Sequence, residues 1–138
     1  MKHFRLLLLL LLAACSAEGR LAREGATPAG ETFREYSHIP YGYERILYSR
    51  DGREIGRQQL HTEENFRRIQ PGMTEDELAD VIGRGFATRG DYGDGTHSLT
   101  WRYYDGVYKL LHVTFGPDNR VIRYATEWDP NVYSKKSR

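Results

Sequence analysis

The chain has 138 residues, 20 Lys and Arg against 19 Asp and Glu, a formal net charge of +1 and one cysteine. That length bounds one small domain with extensions and excludes a multidomain enzyme. The charge balance excludes a broad basic field for nucleic acid, and a lone thiol excludes an internal disulfide or a Cys-rich zinc site within one chain.

Taken in chain order, the first element is an export signal. Lys2 and Arg5 precede an apolar run from Leu6 to Ala14, with small residues directly before Cys15. As a helix this run reaches about 13 Å, well short of the roughly 30 Å of a bilayer core, so residues 1–14 are read as a cleaved signal peptide. Leu12-Ala13-Ala14-Cys15 resembles the lipobox of bacterial lipoproteins. The resemblance implies cleavage between Ala14 and Cys15 and acylation of Cys15, palmitate included. Ser16 rather than Asp follows the cysteine, which by the same resemblance implies sorting to the outer membrane, anchored on its periplasmic face.

Residues 15–45 hold no apolar period lasting two helical turns and are read as a lipidated N-terminus and flexible linker. Its tyrosines, Tyr36, Tyr41 and Tyr43, are compatible with docking on a partner or on the domain, or with incidental composition. Over 46–61, Ile46-Leu47-Tyr48-Ser49 and Arg53-Glu54-Ile55 flank Asp51-Gly52 and predict a β-hairpin or extension. Thr62 caps a short helix whose Phe66 and Ile69 share a face, ended by Pro71-Gly72. Thr74-Glu75-Asp76-Glu77 is a capping box opening a second helix, with Leu78, Val81 and Ile82 as its apolar stripe and Gly83 as a left-handed cap.

The period then changes from 3.6 to 2. Gly90 to Thr96 is read as a flexible loop, and three strands follow. A three-residue loop at Asp105 would place Trp101 opposite Leu111 and Leu99 opposite Val113, and a turn with left-handed Asn119 would align Phe115 with Val121. The expected fold class is therefore α+β, two short helices on a three-stranded antiparallel sheet over 62–129, in the order helix-helix-strand-strand-strand. A basic tail over 130–138 closes the chain.

Ile69-Gln70-Pro71-Gly72-Met73-Thr74, Glu77-Leu78, Ile82-Gly83, Trp101-Arg102-Tyr103, Val113-Thr114-Phe115 and Arg120-Val121 together resemble the BamE-like, or SmpA/OmlA, family of small outer-membrane lipoproteins. The resemblance spans about residues 62–129 and implies the same helix-helix-three-strand fold. It also implies a non-catalytic accessory role in outer-membrane assembly of β-barrel proteins, with protein-protein contact to other barrel-assembly subunits. Membrane lipid would be held through acylated Cys15. A second reading is a periplasmic binding or inhibitor lipoprotein, since a helix pair on an antiparallel sheet also resembles one unit of the proteinaceous β-lactamase inhibitors.

The residues themselves nominate no catalyst, cofactor or small-molecule substrate. Gly83-Arg84-Gly85 follows a helix and lacks the third glycine of a dinucleotide fingerprint. His38, His61, His97 and His112 have no metal-ligand spacing, and Asp91 and Asp94 lack the carboxylate ladder of a calcium loop. Binding features remain. Tyr104, Tyr108, His112 and Tyr124 are predicted to share the sheet face opposite the helices, as a partner-binding patch or as cross-strand packing. Lys135, Lys136 and Arg138 are candidate contacts to anionic lipid, or a solvated terminus.

Overall fold

Side-chain alternation, rather than helical periodicity, organises most of the chain. The computed structural model describes residues 19–38, 42–85 and 87–133, and these form two four-stranded antiparallel sheets. The first sheet runs β1 (Arg20–Ala26), β2 (Thr32–Ser37), β3 (Tyr43–Tyr48), β4 (Glu54–Gln59); the second runs β5 (Thr88–Asp91), β6 (His97–Tyr104), β7 (Tyr108–Phe115), β8 (Val121–Trp128). Between them in sequence lie α1 (Glu63–Phe66) and α2 (Glu75–Ile82), and α3 (Pro130–Tyr133) follows β8. The lipobox with Cys15, Tyr41 and the tail residues Lys135, Lys136 and Arg138 lie outside the described residues.

This architecture corrects the expected two helices on a three-stranded sheet. The described part of the supposed linker contains β1, β2 and the first half of β3, whereas the expected hairpin around Asp51-Gly52 forms as β3 and β4 and completes that same sheet. The physical reason is that charged residues, Arg23, Glu35 and Arg45, interrupt the apolar Phe33, Tyr43 and Leu47 on the inward face of the first sheet. Register places Arg23 opposite Glu35 and Glu35 opposite Arg45. Glu35 is fully buried, 2.7 Å from Arg45 and 3.6 Å from Arg23, and accepts from the Tyr43 hydroxyl at 3.1 Å. Both guanidinium groups also lie over the Phe33 ring, at 5.3 and 5.2 Å. A face built this way leaves no apolar period for a sequence pattern to register.

The Gly90 to Thr96 loop also requires correction, because β5 enters it and pairs Asp91 with His97. Thr88-Arg89-Gly90-Asp91 contains no large apolar residue, so its strand character comes from backbone pairing to β6 rather than from packing.

Local signals around the helices act as the residues dictate. The Thr62 hydroxyl accepts from Asn65 N–H at 3.2 Å, and both halves of the Thr74/Glu77 capping box form. At its other end α2 carries no basic residue of its own, yet the carbonyls of its last four residues are all satisfied. Ala79 accepts from Gly83 N–H at 2.8 Å and from Arg23 at 3.3 Å, and Asp80 from Arg45 at 3.0 Å. Val81 accepts from Asn65 at 2.7 Å and Ile82 from His61 at 3.0 Å. Two of these donors belong to the first sheet, so the end of α2 is the joint between the sheets.

Gly83 makes that joint close. Its φ is +76° with ψ 177°, a positive-φ but extended residue rather than the expected left-handed cap, and a Cβ there would stand 1.8 Å from the Tyr43 ring. Tyr43 is fully buried, stacks on His61 with centroids 5.3 Å apart, and accepts from Arg84 N–H at 3.0 Å. The second sheet carries the main core: Phe66, Ile69, Leu78, Val81 and Ile82 from the helical segment close over Trp101, Tyr103, Leu111, Val113, Phe115 and Val121. The three-residue loop 105–107 sets Trp101 opposite Leu111 and Leu99 opposite Val113, and Asn119, at φ 59°, aligns Phe115 with Val121.

Candidate protein-docking surface

The antiparallel order of β6, β7 and β8 brings the end of β6, the start of β7 and the end of β8 to one end of the second sheet. Tyr104 and Tyr108 are directly paired there, with ring centroids 4.9 Å apart and planes tilted by 54°. Tyr104 is 53 % exposed. At the end of β8, Trp128 is 59 % exposed and meets the Tyr133 ring edge-on at 5.2 Å. The Tyr133 hydroxyl accepts from Tyr108 N–H at 3.2 Å, which links the two aromatic pairs into a chain.

That geometry depends on α3 folding back against the sheet. Asp129, fully buried, directs it: its carboxylate accepts from Asn131 N–H at 2.9 Å, its N–H donates to the Tyr108 carbonyl at 3.1 Å, and Arg102 lies 3.4 Å from its other oxygen. A charged rim borders the aromatics. Lys109 Nζ lies 6.0 Å from the Trp128 ring centroid and 2.6 Å from Glu63, which also accepts from the Tyr103 hydroxyl at 2.9 Å. The Lys109 hydrogen bond holds Glu63 below the usual carboxylate range, whereas burial, followed by its bond to Glu63, pushes the Tyr103 hydroxyl up.

The predicted patch of Tyr104, Tyr108, His112 and Tyr124 is partly dispersed. Register keeps Tyr104, Tyr108 and His112 on the face away from the core. His112 is bound on both ring nitrogens, to Thr100 Oγ1 and to Glu127 Oε1, each at 2.8 Å. Tyr124 leaves the patch: it pairs with buried Val113 and packs against the core. The cause is a β-bulge. Phe115 pairs with Val121 but Thr114 pairs with Arg123, so Ile122 is extra and every later side chain of β8 changes face. Trp128, which the sequence reading passed over, is in line with Lys109 and Tyr103 and stands on the same core-side face as Tyr124, so its pair with Tyr133 lies on the opposite side of the sheet end from Tyr104 and Tyr108. The charges at Arg123 and Glu127, four residues apart, are the available signal that odd positions of β8 beyond the bulge face away from the core.

Elsewhere, an open cleft of about 490 Å³ is lined by both signs of charge, Glu75, Asp76 and Asp118 with Arg89 and Arg120, beside buried His97. The His97 ring stacks on Phe115 at 4.8 Å, and its Nε2 is 3.8 Å from Glu75. Among the described residues no three His, Cys, Asp or Glu side chains gather as a metal site, and no helix is long and apolar enough to cross a membrane. No protein-family model matches the chain, and no curated protein or solved structure matches it.

Proposed function

We propose that the protein is a lipid-anchored docking subunit of the outer membrane that acts by binding, as an accessory of the machinery that inserts β-barrel proteins. The observation that carries the docking role is the exposed aromatic end of the second sheet, where the Tyr104–Tyr108 pair on one face and the Trp128–Tyr133 pair on the other are joined through the Tyr108 backbone N–H and the Tyr133 hydroxyl. Tyr and Trp supply large contact area at small conformational cost and dominate interface hot spots. The anchor rests on the lipobox ending in Cys15, and the barrel-assembly partner rests on the resemblance carried by Pro71-Gly72-Met73-Thr74 and the residues after it.

The test is crosslinking at native expression level, gentle membrane extraction and mass spectrometry of the recovered partners, with Trp128→Ala and Cys15→Ala alongside. Recovery of barrel-assembly subunits by the native chain, lost in both variants while the Trp128→Ala thermal midpoint stays put, is the expected outcome. Enrichment of a soluble enzyme or of another envelope protein would overturn the barrel-assembly role. Equal recovery with Trp128→Ala would remove the aromatic end from it.

A further inference from the structure

β8 is the longest edge strand of the two sheets, eight residues against seven in β1, six in β4 and four in β5. Among the described residues, no strand lies on its outer side. Its first residue is already engaged, since Val121 N–H donates to the Met73 carbonyl and its carbonyl accepts from Gly72 N–H, both at 2.8 Å. The bulge at Ile122 follows, leaving Arg123 to Trp128 as the open stretch.

Backbone direction along this stretch follows from one bond. Asp129 N–H donates to the Tyr108 carbonyl, so residues at even spacing from Asp129, namely Glu127, Ala125 and Arg123, turn their backbone groups toward β7. Tyr124, Thr126 and Trp128 turn theirs outward, where they form a template for another strand. Side chains select which strand. Arg123, Ala125 and Glu127 pair with Thr114, His112 and Leu110 and share the sheet face away from the core. Arg123 has no ion-pair partner among the described residues.

We infer that two copies of this chain associate through β8, antiparallel about a two-fold axis at Ala125. In that register Arg123 of each copy lies opposite Glu127 of the other, and the outward backbone groups of Tyr124 oppose those of Thr126. Centring the axis on Tyr124 or Thr126 keeps the hydrogen-bond parity but sets one member of the charged pair opposite Ala125. Only the Ala125 register matches both charges and hydrogen bonds. The interface is isologous and joins two four-stranded sheets into one continuous sheet. It buries the edge that β8 otherwise exposes.

The register is tested in the full-length chain by sedimentation equilibrium and by cysteine crosslinking. Glu127→Arg places like charges opposite each other twice and is expected to weaken the dimer by about tenfold or more. The charge swap Arg123→Glu with Glu127→Arg restores it. In a Cys15→Ser background, Ala125→Cys sits at a non-hydrogen-bonded pair with Cα atoms about 4.5 Å apart, inside the range a disulfide spans, and forms a covalent dimer on oxidation. Thr126→Cys, the centre of the competing register, forms far less. A native chain that remains monomeric at high concentration, a swap that fails to restore association, or equal crosslinking at both positions would each overturn the inference. Failure to recover barrel-assembly subunits would not, because self-association is read from the chain alone.

Discussion

His61 donates from Nε2 to the Ile82 carbonyl at 3.0 Å, while its buried Nδ1 has no hydrogen-bond partner. A proton added at Nδ1 would be enclosed without an acceptor, and burial lowers the folded-state pKa from 6.5 to about 4 despite the bond to Ile82. The unfolded chain therefore takes up this proton first. His61 adds no penalty above about pH 6.5, and stability falls as pH drops from there to about 4, by roughly 3 kcal/mol in all. His61→Gln can still donate to Ile82 but does not titrate, so its thermal midpoint is expected to vary far less between pH 7 and 4.5 than that of the native chain. Parallel slopes would remove His61 as the cause. Gly83 is as sensitive for steric reasons. Gly83→Ala combines a positive φ with a Cβ inside the Tyr43 ring, and is expected to cost about 2–4 kcal/mol in denaturant unfolding, while Gly52→Ala, with nothing within 4 Å of its Cβ, costs only the backbone strain.

At the scale of elements, α2 is held differently at its two ends. Its N-terminus is capped by its own neighbours, Thr74 and Glu77, in a partly exposed turn. Thr74→Ala is expected to cost about 1 kcal/mol. Its C-terminus is capped by side chains from afar, and Asn65 is the most heavily used of these, donating to Leu60 and Val81 carbonyls at 2.8 and 2.7 Å while 5 % exposed. Asn65→Ala leaves two buried carbonyls without donors and is expected to cost about 2–4 kcal/mol, the larger loss in chemical denaturation. Equal losses would mean that water enters to replace the amide. The same division applies to β8, where the bulge after Val121 controls which residues face the core more strongly than any single side-chain preference does.

Across the whole molecule, the two sheets meet through partly buried polar groups and the Tyr43 ring rather than a shared apolar layer. Arg23 and Arg45 reach from the first sheet to the α2 carbonyls, and Tyr43 fills the space over Gly83. Breaking such a joint leaves buried charge uncompensated, so the sheets are expected to unfold together. Both tryptophans, Trp101 and Trp128, belong to the second sheet. Tryptophan fluorescence and far-ultraviolet circular dichroism should therefore give one coincident transition, and Glu35→Leu, which strips Arg23 and Arg45 of their shared carboxylate, should lower both signals' midpoints alike. Separate transitions in the native chain would show that the sheets are independent.

By itself the sequence determined what depends on neighbours a few residues away. Thr62 and Thr74 mark their helix starts because a hydroxyl satisfies a nearby amide, and the three-residue loop at Asp105 sets the β6–β7 register because side-chain parity must match across it. Tertiary structure decided the rest. The first sheet exists because Glu35 finds Arg23 and Arg45 on adjacent strands, β5 because β6 offers it a backbone partner, and Tyr124 turns inward because one extra residue at Ile122 inverts the strand beyond it. Each of these is a pairing between distant segments. A charge facing inward reads as a solvated residue until its partner strand lies beside it, and a bulge has no residue signature until two strands are laid in register.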